Sequence, residues 1–214
     1  MSACEIVLDD GGMNLLSSSM LRSIRAQLPS SGELLMLRSG RPHIFAAGAD
    51  MAEMRAFGAA EAEEFARMGQ ELFAAIERLP MITVALIDGD CFGGALDLVL
   101  AFDLRFSTPR SRFAHPGGKL GIVTGFGGTS RWRQTIDRAA ARRLFLGNER
   151  LTAAEALEVG LIDRVGESFD GELRRLESLD PATTRLMKEL SAHAGCLSQR
   201  DLMLLAERLG ALYR

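Results

Sequence analysis

The chemistry that this sequence offers sits at two glycine-punctuated turns. In the first, Asp88-Gly89 breaks the apolar run Met81 to Ile87. Gly93-Gly94 then opens a short apolar helix, Ala95 to Ala101, whose one charged residue is Asp97. The amides of a first helical turn have no intrahelical acceptor, and neighbouring glycines let a ligand approach the backbone, so this helix start suits negative charge on an oxygen. In the second, an apolar strand end within His43 to Met54 runs into Ala47-Gly48-Ala49-Asp50 before a helical turn. Taken singly, each turn reads as a tight strand-to-helix connection. Taken together, the two can each direct one backbone amide at the same oxygen.

Side chains able to move protons lie close by in sequence. Asp97 falls in the first turn of the apolar helix, where a carboxylate either acts as a base or only stabilises the helix N-terminus. His115 precedes Pro116-Gly117 and is either an acid/base group, because imidazole titrates near neutral pH, or a turn and packing residue. Asp50 follows the second turn directly and is expected to bond the backbone of its own loop. His43, His115 and His193 are dispersed and have no metal-ligand spacing, so no metal is expected. Gly125-Phe126-Gly127-Gly128 lacks the third glycine of a dinucleotide loop, since Ser130 stands there, and neither a Walker loop nor a G-x-S-x-G elbow is present.

These groups need a scaffold of alternating strands and helices. Glu5 to Leu8 reads as a strand, Ser17 to Leu28 as an amphipathic helix ending before Pro29, and Leu34 to Leu37 as the next strand. Ala59 to Arg78 places Phe65, Met68, Leu72, Phe73 and Ile76 at helical spacing and stops at Pro80, after which Met81 to Ile87 is a buried strand. Strand, helix, strand and helix in succession imply right-handed crossovers between parallel strands. Downstream, Thr152 and Glu155 form a capping box, Gly160 sits where a C-terminal glycine belongs, and Asp180-Pro181 starts another helix. The C-terminal third is helical, with Leu186, Met187, Leu190, Leu202, Leu205, Leu209 and Leu212 on apolar faces.

With 214 residues, 47% of them hydrophobic and 25% charged, the chain reads as one globular domain with a real core. A formal net charge of -3 argues against a nucleic-acid partner. Arg131, Arg133, Arg138, Arg142 and Arg143 cluster in one segment, as either a basic patch for an anionic cofactor or a solvated helical face. Cys4, Cys91 and Cys196 form no close pair, which fits a reducing cytoplasm. The N-terminus lacks the features of an export signal, and no apolar run approaches the roughly 18 residues of a membrane span, so neither export nor insertion is expected.

In order along the chain, these motifs resemble those of the enoyl-CoA hydratase/isomerase (crotonase) family. Phe45 to Asp50 looks like its F-x-A-G-A-D turn, and the segment ending at Asp97 like its G-x-x-x-G-G-G-x-E. Phe113 to Thr129 (FAHPGGKLGIVTGFGGT) is similar to F-x-x-P-E-x-x-x-G-x-x-P-G-x-G-G-T, and Leu151 to Val165 continues the likeness. Met13 to Ser17 looks like the N-x-L-[ST] entry to the first helix. The resemblance covers nearly the whole chain.

It implies an α/β crotonase (ClpP/crotonase-like) fold, a spiral of β-β-α turns, with residues 1–165 as the core. Residues 166–214 would be a helical segment of the same domain that covers the site and forms a trimer interface. It implies an acyl-CoA thioester as substrate, coenzyme A entering only as part of that substrate, and a homotrimer or homohexamer. The oxyanion amides would belong to Ala49 and Gly94, with Ala47, Asp50, Gly93 and Gly117 around the bound thioester.

The departures concern acid/base groups. Family hydratases carry one Glu at the Asp97 position and a second at the Gly117 position, so here a shorter carboxylate faces no partner. Gly125 stands where some isomerases and dehalogenases have an aspartate, and Ala52 and Glu53 stand where a basic residue often lies near the cofactor phosphates. Proton transfer would then run through Asp97, His115 or a water they hold. Three readings follow: a hydratase/isomerase-like enolate chemistry, decarboxylation of a malonyl-CoA-type acid, or a catalytically impaired acyl-CoA-binding homologue.

Overall fold

The computed structural model describes residues 3–32 and 34–191, together with Met203 and Gly210. The chain opens with β1 (Ala3–Leu8), α1 (Ser18–Gln27) and β2 (Leu34–Ser39). The Ser17 hydroxyl accepts from the Met20 amide at 3.2 Å and caps α1, which buries Leu21 and Ile24 and ends ahead of Pro29. Next come β3 (Ile44–Ala46), α2 (Met51–Arg55) and α3 (Ala59–Glu77). The inward face of α3 is Phe65, Gly69, Leu72, Phe73 and Ile76, so Met68 of the expected stripe is only partly buried and Gly69 takes a place on it.

The middle of the chain is β4 (Ile82–Ile87), β5 (Asp90–Phe92), α4 (Gly94–Val99), β6 (Leu104–Ser107) and β7 (Arg112–Ala114). The stretch from Asp88 to Gly94, read from sequence as a turn, holds the strand β5. Three residues with one buried side chain, Cys91, give no periodic signal, and pairing with β3 and β7 makes the strand. The helix α4 stops at Val99, two residues short of the expected end.

Three short helices follow, α5 (Gly117–Leu120), α6 (Gly128–Thr135) and α7 (Arg138–Phe145). After them come β8 (Arg150–Thr152), α8 (Ala153–Glu158), β9 (Arg164–Val165), α9 (Asp170–Glu177) and α10 (Pro181–Ser191). The Thr152–Glu155 capping box is formed, Gly160 has φ +74°, and Asp180 Oδ1 accepts from the Thr183 amide at 2.8 Å.

Strands β1-β2-β4-β6-β9 form one sheet, parallel throughout. Strands β3-β5-β7-β8 form a second, parallel except for the β7–β8 pair. Successive strand pairs β2/β3, β4/β5 and β6/β7 each leave one sheet for the other before a helical segment, so the expected β-β-α turns recur. Helix α4 lies inside this spiral, with Ala95 to Val99 all buried.

At the C-terminal side, Lys188 of α10 donates to Asp103 Oδ2 at 2.7 Å and to the Met81 carbonyl at 2.9 Å, tying that helix to the first sheet. Leu186 is buried, whereas Met187 is 66% exposed. Adjacent helical positions are rotated by about 100°, so Met187 does not share the inward face with Leu186. Leu202, Leu205, Leu209, Leu212, His193 and Cys196 lie outside the described residues.

Candidate active site

The two glycine turns stand side by side. A β-carbon on Gly48 would lie 3.3 Å from the Gly94 amide nitrogen and 2.9 Å from the Phe92 carbonyl, and Gly48 has φ +95°, so only glycine fits there. A β-carbon on Gly94 would lie 3.5 Å from the Ala49 amide nitrogen.

Several of the amides around these two are spent inside the protein. Ala47 N donates to Met13 O at 3.0 Å and Asp50 N to Leu16 O at 3.3 Å, while Leu16 N donates to Gly48 O at 2.8 Å. On the other turn, Gly93 N donates to Ala114 O at 2.9 Å. Among the described residues, the amides of Ala49 and Gly94 have no protein acceptor. Backbone donors are nearly always paired, so two unpaired ones at adjacent turns are available to a ligand.

Both amides border a cavity of about 280 Å³ whose walls include Met51, Met54, Phe65, Leu120, Ile122 and Phe126. Of the residues singled out from sequence, Ala47, Ala49, Gly93, Gly94, His115 and Gly117 all line it. Asp50 does not. Its Oδ1 accepts from Ala52 N at 2.9 Å and Glu53 N at 3.1 Å, capping α2 as the sequence suggested. Among the described residues, no group of three His, Cys, Asp or Glu side chains could hold a metal.

Asp97 is also absent from the cavity wall. It is wholly buried, and its carboxylate accepts from the Thr124 hydroxyl on Oδ2 and from the Trp132 indole N–H at 3.4 Å on Oδ1. His115 Nε2 lies 3.8 Å from the same Oδ1, is sealed from solvent, and has no hydrogen-bond partner among the described residues. The imidazole packs against Phe145 at a ring-centroid distance of 4.8 Å and against Trp132 at 6.1 Å. Burial pushes the nearby Cys91 thiol up, with the charges of Asp97 and Asp90 adding to the effect, which leaves it a protonated core residue.

Sequence reasoning missed Thr124, Trp132 and Phe126. Phe126 is wedged between α3 and the Gly94 turn, meeting Phe65 and Phe73 edge to face at ring-centroid distances of 5.1 and 5.5 Å, where a β-carbon on Gly69 would overlap its ring. The glycine at position 69 of α3 was the available signal, since a glycine inside a helix usually marks a close approach.

Beyond Thr124 and His115 a second cavity of about 740 Å³ opens, lined by Trp132, Ile136, Phe145 and the side chains of Arg133, Arg138 and Arg142. The arginine cluster is therefore divided: Arg131 pairs with Glu77 at 2.7 Å and Arg143 with Glu149 at 3.5 Å, while the other three face this cavity.

Residues 17–194 match the family model described as enoyl-CoA hydratase/isomerase. A crotonyl-CoA hydratase from Syntrophomonas wolfei is 32% identical over 158 residues, covering 72% of this chain and 61% of the relative. The chain thus spans less than two thirds of that relative's length. The crystal structure of an enoyl-CoA hydratase from Bacillus anthracis superposes with a TM-score of 0.88 at 25% identity, covering 97% of this chain and 86% of that one. The DspI structure from Pseudomonas aeruginosa gives 0.87 at 25% identity, covering 99% and 91%. The expected crotonase fold is the fold found.

Proposed function

The chain belongs to the enoyl-CoA hydratase/isomerase family, and from that premise we propose that it is an acyl-CoA enzyme which stabilises a thioester enolate. The observation that carries this reading is the pair of acceptor-free amides, Ala49 and Gly94, presented together at one apolar cavity. In this reading the thioester carbonyl oxygen accepts from both. Charge that develops there as the enolate forms meets donors already in place, and each such donor is worth about 3 kcal/mol of barrier. The apolar walls exclude water and strengthen both bonds.

The reaction most in keeping with the names of the relatives is hydration or isomerisation of an enoyl-CoA. A second reading, decarboxylation of a malonyl-CoA-type acid, draws support from the first cavity's lining, which among the described residues contains no Asp or Glu. That reaction needs the oxyanion hole but no base to remove a proton. The same reading makes the assembly a homotrimer or homohexamer in the cytoplasm. Val123, Leu146 and Met187, which a single chain leaves 84%, 82% and 66% exposed, support an apolar contact between copies.

A panel of crotonyl-CoA, a 3-enoyl-CoA and malonyl-CoA tests the proposal. Hydration or isomerisation is the expected result. Loss of carbon dioxide from malonyl-CoA alone would assign the second reading, and binding of all three without turnover would assign an impaired binding homologue. Failure to bind any acyl-CoA would overturn the proposal.

A further inference from the structure

The position that would carry a second carboxylate is closed. A β-carbon on Gly117 would lie 2.6 Å from the Ile122 carbonyl oxygen, so a side chain there fits only if the loop shifts. It would also lie 3.3 Å from both Nδ1 and Cε1 of His115. One edge of the imidazole therefore borders that space, in the wall of the first cavity.

The other edge of the ring faces Asp97. Nε2 is buried and unpartnered 3.8 Å from Oδ1, and the carboxylate is held in place by Thr124, by Trp132 and by its contact with Gly128. A wholly buried carboxylate with neutral donors lacks a cationic partner, and a buried imidazole nitrogen lacks an acceptor. Each group supplies what the other is missing. An approach of roughly 0.6–1 Å would close the bond, and catalytic hydrogen bonds in ligand-free sites are commonly long by such amounts. Arg133, Arg138 and Arg142 share the second cavity with His115.

We infer that His115 is the acid/base group of this site, with Nδ1 turned towards the acyl chain. Asp97 is a positioning residue that fixes the Nε2–H tautomer and faces the positive charge when Nδ1 is protonated. The inference rests on the acyl-CoA reading above.

In hydration, Nδ1 takes a proton from water as the water oxygen bonds to the β carbon, and the double-bond pair moves into the enolate held by Ala49 and Gly94. The imidazolium then returns that proton to the α carbon, leaving a 3-hydroxyacyl thioester and neutral His115. In isomerisation of a 3-enoyl thioester, the same nitrogen removes an α proton and returns it at the γ carbon.

The test is crotonyl-CoA hydration in D2O, read as deuterium incorporation at the α carbon. Butyryl-CoA binding is measured in parallel by calorimetry, for the wild type, His115→Gln, His115→Asn and Asp97→Asn. Both His115 variants are expected to lose about 100-fold or more in kcat while binding butyryl-CoA within about threefold of wild type. Asp97→Asn should keep KM and lower kcat by a smaller factor, because the imidazolium formed during turnover loses its counter-charge.

Wild-type turnover in either His115 variant overturns the inference, as does loss of butyryl-CoA binding together with turnover in both. A wild-type protein that binds butyryl-CoA yet incorporates no deuterium overturns it while leaving the acyl-CoA reading standing. A wild-type protein that binds no acyl-CoA overturns both.

Discussion

Gly128 is the surface on which the Asp97 carboxylate rests: a β-carbon at position 128 would overlap Oδ1. The first residue of α6 thus sets how far the acid of α4 can extend towards Thr124, Trp132 and His115. Gly128→Ala should displace that carboxylate and cost about 1–3 kcal/mol through overpacking. Denaturant unfolding measures the loss. A variant as stable as wild type and with unchanged turnover would show that the contact constrains nothing.

Gly117→Glu restores on paper the second carboxylate of a family hydratase. With the Ile122 carbonyl 2.6 Å from the β-carbon position, it should instead destabilise the fold by about 1–3 kcal/mol and fail to raise crotonyl-CoA hydration. Faster hydration in this variant would mean that the loop opens freely.

Asn14 is wholly buried, and its Nδ2 donates to Ser39 Oγ at 2.9 Å and to the Phe45 carbonyl at 3.0 Å. It anchors the segment whose Leu16 bonds hold the Gly48 turn. Asn14→Ala should cost about 1–3 kcal/mol, because it removes the buried hydrogen bonds to Ser39 Oγ and the Phe45 carbonyl. The Leu16 and Asp50 amides should then exchange with solvent faster than they do in wild type. Unchanged exchange at both would uncouple Asn14 from the turn.

Asp88 offers a pH test away from the site. Its hydrogen bonds from Arg110, at 2.6 and 2.7 Å, outweigh partial burial and, with Thr108, hold its carboxyl below the ordinary value of 3.8. A depressed folded pKa gives stability that is present above the unfolded value and lost as pH falls through the folded one. Asp88→Asn should therefore be less stable than wild type at neutral pH, with the gap closing below about pH 4. A gap that is unchanged down to pH 2 would rule out the ionised carboxylate as its source.

Much of the scaffold could be read from local pattern. The apolar run Met81 to Ile87, the Thr152–Glu155 capping box and the glycines at both turns announce themselves within a few residues. The same holds for the apolar helix that carries Asp97, whose depth of burial follows from its composition. What could not be read is where Asp97 points. Its partners Thr124 and Trp132 come from another turn of the spiral, and no periodicity links them to it. The strand β5 was invisible for a related reason: three residues become a strand only when β3 and β7 flank them.

The donors to Asp97 are separated from it by 27 and 35 residues of chain. A ribosome releases the polypeptide from its N-terminus, so α4 emerges with a carboxylate set among apolar side chains before either donor has left the tunnel. Until Trp132 has left the exit tunnel, that helix has no interior to enter at acceptable electrostatic cost. The central helix of the spiral must therefore wait in the nascent chain, exposed and apolar, for a later segment to arrive.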